Sequence, residues 1–358
     1  MGLQRCGDGA DENDIELLVS CICARKLSGV TALALAVFLV ASAGASGSHA
    51  PQQSAYAAHP GPQRVFARDS IWNSPLRPGT RVSGNSTLEV TSLRHDVATT
   101  GAWINTTKWS TPVYTVPANA PTVRVGLRQP AGIALSLREA FASVPIPKGA
   151  RPSPDADGHM VILQPSRHRM WEFWQLRHQS GRWHASYGGE MLHVSASAGY
   201  FPTSPGWGAT ATGLPLIGGL MRISELRTGR INHALSMAVP NTKAGVFASP
   251  AQRTDGRTFG PTAIPEGTRF RLDPSLDISK LDLSPVMRSI VVAAQRYGMI
   301  VTDTGSNVAL YAEDPAPKQS NPYSRGGGGL FGDRYPNQLM AEFPWSHLVV
   351  VAAPLHTR

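Results

Sequence analysis

From Arg64 onward the chain is a succession of short runs in which apolar and polar residues alternate, separated by prolines and glycines. The clearest are "TPVYTVP", "TVRVGL", "HMVILQP", "MWEFWQL", "RWHASYGG", "GLMRISEL", "INHALSMAVP", "TRFRLDP", "GMIVTD" and "NVALYAED". A period of two bounded by turn residues predicts β-strands. Two stretches follow the helical period instead. One lies near "ALSLREAFASV" (134–144), the other is "SPVMRSIVVAAQRYG" (284–298). In the second, Ser284 suits the N-cap, Pro285 the first helical position and Gly298 the terminator. Val286, Ile290, Ala294 and Tyr297 form one stripe, as in a helix packed on a β body. No internal repeat interrupts this pattern. Many short strands with about two packed helices predict a mainly β fold, a single-domain β-sandwich or jelly-roll-like sheet architecture over residues 63–358.

Two stretches read as hairpins. In "DGHMVILQPSRHRMWEFWQ" (157–175), a five-residue turn from Pro165 to Arg169 sets Leu163 opposite Trp171 and Val161 opposite Phe173, which makes a core face. The other face then pairs Met160, Ile162 and Gln164 with Trp174, Glu172 and Met170. That face is too apolar for plain solvent and too polar for a core, and a sugar ring would suit it. "GLPLIGGLMRISELRTGRINHALSMAVP" (213–240) reads as strand, turn at Thr228–Gly229, strand. It groups Ile231, His233, Leu235, Met237 and Val239 on one face.

The first 45 residues change the picture of where the protein works. Arg25 and Lys26 precede an apolar run from Val30 to about Ala43, and small residues follow it. The run is shorter than the ~20 residues of a membrane span, so it predicts a cleaved signal peptide. An uncleaved anchor is the competing reading. The acidic stretch "CGDGADENDIE" is unusual in such a leader and fits a start codon placed too far upstream. Residues 46–62, with almost no large apolar side chains, predict a flexible spacer. All three cysteines (Cys6, Cys21, Cys23) fall in the leader. A secreted form without them has no disulfide, thiolate metal site or cysteine nucleophile.

Removing the leader's three basic and five acidic residues from the chain's 33 and 24 leaves a net charge of +11. Outside a cell that charge favours a polysaccharide such as a uronate polymer, or another anionic cell-wall polymer. Nucleic acid is disfavoured, because the basic residues are scattered without a run or recognition-helix pattern. Simple solubility is the bland alternative.

The candidate chemistry is carboxylate, imidazole and aromatic. Glu172, set between two tryptophans, is a candidate general acid, and an ion pair with Arg167 or Arg169 is its plain alternative. Asp157 and His159 open the same strand and can act together, the aspartate fixing the imidazole tautomer. Ser153, Asp155, Asp157 and Gly158 make part of a calcium-loop pattern, but Gln164 stands where the bidentate glutamate belongs. Glu225 can reach His233 across the second hairpin for acid–base work, although a lone histidine on an apolar face also fits a hydrogen-bonded core residue. Arg222 and Arg230 suit an anionic substrate. Trp171, Trp174, Trp183, Tyr187, Tyr200, Phe201 and Trp207 crowd together. Some belong to the core, and Trp174, Tyr187 and Trp207 are candidates to stack on sugar. Glu190, after a glycine pair, is a candidate loop carboxylate. The glycine-rich "SRGGGGLFGDRYP" lacks a phosphate loop's ending, and neither a His-Glu-x-x-His motif nor a Gly-x-Ser-x-Gly elbow occurs. No metal and no cofactor are implied.

"WINTTKWSTPVYTVP", "DGHMVILQPSRHRMWEFW", "GWGATATGLPLIGGLMRISELRTGRINHALSMAVP", "AQRTDG", "IPEGTRFRLDP" and "AQRYGMIVTDTG" together resemble a family of secreted actinobacterial proteins, over about Val65 to His347. A looser resemblance to other secreted bacterial and fungal proteins centres on "GLP", "EL…G.I.HAL" and "YGMI". The resemblance implies a secreted single domain and assigns no activity to any residue. The expectation is therefore a secreted, monomeric carbohydrate-active enzyme, extracellular or held at the cell wall. It would cleave a polysaccharide as a glycoside hydrolase or polysaccharide lyase through Glu172, Glu225, His233, Asp157 and His159, with Trp174, Tyr187, Trp207 and Arg222 binding substrate. A non-catalytic glycan-binding β-sandwich is the competing class.

Overall fold

The computed structural model describes residues 64–128, 134–202, 206–318, 320–326 and 328–357, all within one compact unit, His59–Arg358. The expected leader and spacer lie outside the described residues. The fold is mainly β, with seventeen strands in four sheets and five helices among the described residues. A six-stranded mixed sheet runs in the order Ala102–Asn105, Val308–Tyr311, Leu235–Val239, Met299–Thr304, Arg269–Leu272, Leu348–Val351. A five-stranded sheet runs Glu313–Asp314, Thr111–Thr115, Met160–Gln164, Arg169–Trp174, Tyr187–Leu192. Two three-stranded sheets complete the set.

Alternation along the strands sorts their side chains into layers. Leu235, Met237, Val239, Met299, Val301 and Leu310 leave one face of the six-stranded sheet and pack against helix Pro285–Arg296. That helix has the expected Ser284 cap on Met287 N–H and the expected stripe of Val286, Ile290, Ala294 and Tyr297, all buried. Ala234 and Ile300 leave the opposite face and meet Val113, Val161 and Met170 of the five-stranded sheet, with Leu214 and Ile217 between them. On the far side of the five-stranded sheet, Met160, Ile162, Trp171 and Phe173 pack on Leu137, Ala140 and Phe141 at helix Ala134–Ala140. Helices thus cover the outer faces of a sandwich.

Two expectations of local structure are corrected. The first hairpin closes through a 3-10 turn, Pro165–Arg167, followed by left-handed His168, so Arg169 already pairs with Gln164. The turn is one residue shorter than expected, and Val161 lies opposite Glu172 while Ile162 lies opposite Trp171. A shift of one residue exchanges cross-strand partners between faces. Both faces are covered, and Glu172 sits in the interior. The second hairpin does not form. "ISELRT" is a helical turn, Ile223–Thr228, whose Glu225 carboxylate returns to the Arg222 backbone N–H, and only Leu235–Val239 is strand. Gly229, left-handed at φ 65°, ends the helix where a strand turn was expected.

Candidate functional site: a cleft lined by aromatic and acidic residues

A cleft of about 1010 Å³ opens where one end of the five-stranded sheet faces the inner side of the six-stranded sheet. Its floor is made by small side chains. Ala238 and Ala309 are cross-strand partners that point away from the main core, and they leave the space that larger residues would fill. Tyr311, two residues beyond Ala309, points the same way.

A bulge aims Asp303 into this space. Val301 pairs with Met237 and Asp303 with Ala238, so Thr302 is the extra residue. Uninterrupted alternation would send Asp303 into the core beside Val301. The bulge turns it onto the cleft side instead, as bulges near functional sites do. Asp255 approaches from the loop 252–255, and Glu266 ends the strand Ile264–Glu266. One carboxylate oxygen from each of Asp255, Glu266 and Asp303 lies within 4.8 Å of the others. Among the described residues these three form a group able to hold a metal ion; Asp255 and Asp303 line the cleft, and Glu266 is fully buried. Burial, together with the charges of Glu266, Asp255 and Asp157, pushes the Asp303 carboxyl well above the usual range. Burial raises Glu266 to about 7, and Asp255 adds to the effect. Burial, then the charges of Asp303, Asp157 and Glu266, push the Tyr311 phenol upward.

The opposite wall comes from the five-stranded sheet. Trp174 and Tyr187 are cross-strand partners at the sheet's end and both line the cleft. The Trp174 indole N–H donates to Asp157 Oδ1 at 3.2 Å, which fixes ring and carboxylate together. Trp109 adds an exposed ring at the rim. His159 is buried beside Asp157. Its Nε2 has no hydrogen-bond partner among the described residues, and burial holds its pKa low against the pull of Asp157 and Asp155. The partial calcium-loop pattern has another explanation. Asp155 accepts the backbone N–H groups of Trp109, Asp157 and Gly158, so it is a turn-forming side chain.

Arg253 holds the cleft's roof. Its guanidinium donates to the carbonyls of Gly206, Trp207, Gly208, Thr210 and Ala211, so five backbone carbonyls spend its donors on the loop. Glu172 pins the same loop from beneath. Its two oxygens accept Ala209 N–H at 2.6 Å and Leu216 N–H at 2.8 Å. Burial raises its pKa to about 7, although both N–H groups and Arg253 oppose the shift.

The expected site residues therefore divide. Asp157, His159, Trp174 and Tyr187 meet in the cleft. Glu172 is fully buried and holds a loop, where a general acid on a mixed, substrate-facing strand face was expected. Trp207 packs between two core clusters, and its neighbours Gly206 and Gly208 line the cleft in its place. Glu225, His233 and Arg222 border a separate pocket of about 370 Å³. There Glu225 Oε2 does accept His233 Nε2, at 2.9 Å, but the helix Ile223–Thr228 brings them together and not a hairpin. His233 Nδ1 faces the Ala234 carbonyl at 2.8 Å, so both ring nitrogens have acceptors. Burial disfavours the imidazolium, yet the Glu225 charge and hydrogen bonds outweigh it and raise the pKa. Arg222 is paired to Glu313 at 3.0 Å, and Glu190 to Arg169.

Sequence reasoning missed Asp255, Glu266, Asp303, Tyr311 and Arg253. One signal was available: strict alternation places Asp303 on the apolar face of "GMIVTD", a conflict that only a bulge resolves. No helix among the described residues is long and apolar enough to cross a membrane. Comparison with family models, with curated proteins and with solved structures returned no match.

Proposed function

We propose that the chain is a secreted carbohydrate-active enzyme that cleaves an extracellular polysaccharide in this cleft. One observation carries the reading: indole and phenol rings on one wall face carboxylates on the other. A sugar ring has apolar C–H faces and a hydroxyl edge, so it matches a site that offers π-faces and acceptors together. Trp174, Tyr187 and Trp109 supply the faces. Asp157, fixed by the Trp174 N–H, is the carboxylate beside the ring-binding wall, and His159 and Tyr311 are its neighbours able to carry a proton. The earlier set built on Glu172 and Glu225 is replaced, because those acids lie outside the cleft.

The chain beginning near Gly44 is incubated with a panel of neutral, amino-sugar and uronate polysaccharides. Released reducing ends report cleavage, and absorbance of unsaturated ends separates β-elimination from hydrolysis. Trp174→Ala should raise KM by roughly 3–10-fold, since stacking on one ring contributes about 0.5–1.5 kcal/mol. Asp157→Asn should lower kcat by ~10²–10⁴-fold, the usual contribution of an acid–base group. Binding of a polysaccharide without any turnover would make this a glycan-binding protein and overturn the reading.

A further inference from the structure

We infer that Asp255, Glu266 and Asp303 form a binding site for one divalent cation of the hard, oxygen-seeking class, Ca²⁺, Mg²⁺ or Mn²⁺. Three separate segments deliver the ligands: the 252–255 loop, the end of the strand Ile264–Glu266 and the bulged strand Met299–Thr304. The mutual spacing of their oxygens, within 4.8 Å, matches two ligands about 2.4 Å from a shared calcium ion. All three donors are carboxylate oxygens, with no thiolate and no imidazole, and that set selects hard cations over zinc or copper.

A second observation points the same way. Glu266 is 0% exposed, and its Oε1 has no hydrogen-bond partner among the described residues. Its Oε2 accepts the Asp255 N–H at 3.1 Å, and the Thr254 and Thr304 hydroxyls hydrogen-bond the same carboxylate. Buried carboxylate oxygens in folded proteins have partners, because burying one bare costs free energy. Two further acids packed around it add repulsion. A dication among the three reverses both effects, since it attracts each charge and gives Oε1 a partner. The bulge at Thr302 fits this picture: it brings Asp303 to its two neighbours, where plain alternation would bury it in the core. Asp255 and Asp303 also line the cleft. Water or a substrate oxygen from that side would complete the shell.

The proposal is independent of the glycan reading, because its test uses no substrate. Protein stripped with a chelator is titrated calorimetrically with CaCl₂, MgCl₂ and MnCl₂ near neutral pH, and its melting temperature is followed. One site should be seen, with the melting temperature rising about 5–10 °C once free cation exceeds Kd by roughly 100-fold. Glu266→Gln keeps the shape and removes a buried charge, and Asp255→Asn alters an exposed position whose hydrogen bond from the Thr304 hydroxyl the asparagine oxygen can also accept. Each should weaken the cation by roughly 100-fold or more while the stripped protein stays folded. If Glu266→Gln fails to fold, Asp255→Asn alone carries the test. Two results overturn the proposal: no heat and no shift with any of the three ions, or unchanged affinity in the folded variants.

Discussion

Glu172 shows how far one residue of register reaches. On a solvent-facing strand it would be a free acid, and Glu172→Gln would leave the melting temperature untouched. Buried between Ala209 N–H and Leu216 N–H, it has work for both oxygens. Glutamine offers one oxygen to those donors and turns its NH₂ on the other. Losing a hydrogen bond at a buried amide costs about 1–3 kcal/mol, so the variant should be less stable at low pH. The pH dependence has a definite sign. A carboxyl raised to about 7 from 4.5 is protonated in both states at low pH and contributes nothing there. Between those values only the folded state keeps the proton, so wild-type stability falls as pH rises. The loss levels off above about pH 7 at about 3 kcal/mol, from about 1.4 kcal/mol per unit. The glutamine variant lacks this slope. Urea midpoints of both proteins from acid to mildly alkaline pH test it, and parallel profiles would show that Glu172 ionises freely.

At the scale of elements, what the sequence revealed depended on whether local chemistry and burial agreed. They agree in helix Pro285–Arg296, where cap, proline, apolar stripe and glycine all point to one answer, and it was legible. They disagree in helix Ser86–Thr100, whose buried face carries Glu89, Ser92 and Asp96 beside Val90 and Leu93. No apolar period marks it, and it went unseen. The first hairpin was legible as a hairpin, but nothing in "PSRHR" announces that His168 adopts a left-handed conformation and shortens the turn. In the cleft, the aromatic wall comes from one contiguous stretch and was half-legible. The acidic wall comes from positions 255 and 303, with Glu266 buried close to both, and only the sheet order brings the three together. Arg253 belongs to the same class, because its function lies in a loop some forty residues earlier in the chain. Arg253→Lys keeps the charge but cannot serve five carbonyls from a compact ammonium. We expect a stability loss of about 2–4 kcal/mol, given ~1.5–3 kcal/mol for a hydrogen bond to a charged group and partial rescue by water. The loop 206–211 should also become cleavable in limited proteolysis. Unchanged melting and unchanged protease resistance would remove Arg253 from its place as the roof of the cleft.

At the scale of the molecule, the charge and the cleft point in opposite directions. Beyond residue 45 the chain carries +11, yet the cleft is lined by Asp157, Asp255 and Asp303, and the Arg253 guanidinium there is engaged by backbone. The two fields act over different ranges. The net positive charge acts across solvent and is screened within about 8–10 Å at physiological salt. Stacking on Trp174 and hydrogen bonds to Asp157 act at contact and are barely screened. On the proposed reading, the net positive charge would hold the protein on an anionic wall polymer, while the cleft would take its sugar by shape and hydrogen bonds. If both proposals hold, the two activities should separate with ionic strength. Raising NaCl to about 0.5 M shortens the screening length towards roughly 4 Å, which should release the protein from an anionic polymer column. Turnover of a short neutral oligosaccharide, once a cleaved glycan is identified, should change less than about twofold over the same range. If salt suppresses that turnover in step with column release, substrate reaches the cleft through the long-range field. The basic exterior would then belong to catalysis, and the division between surface and cleft would not hold.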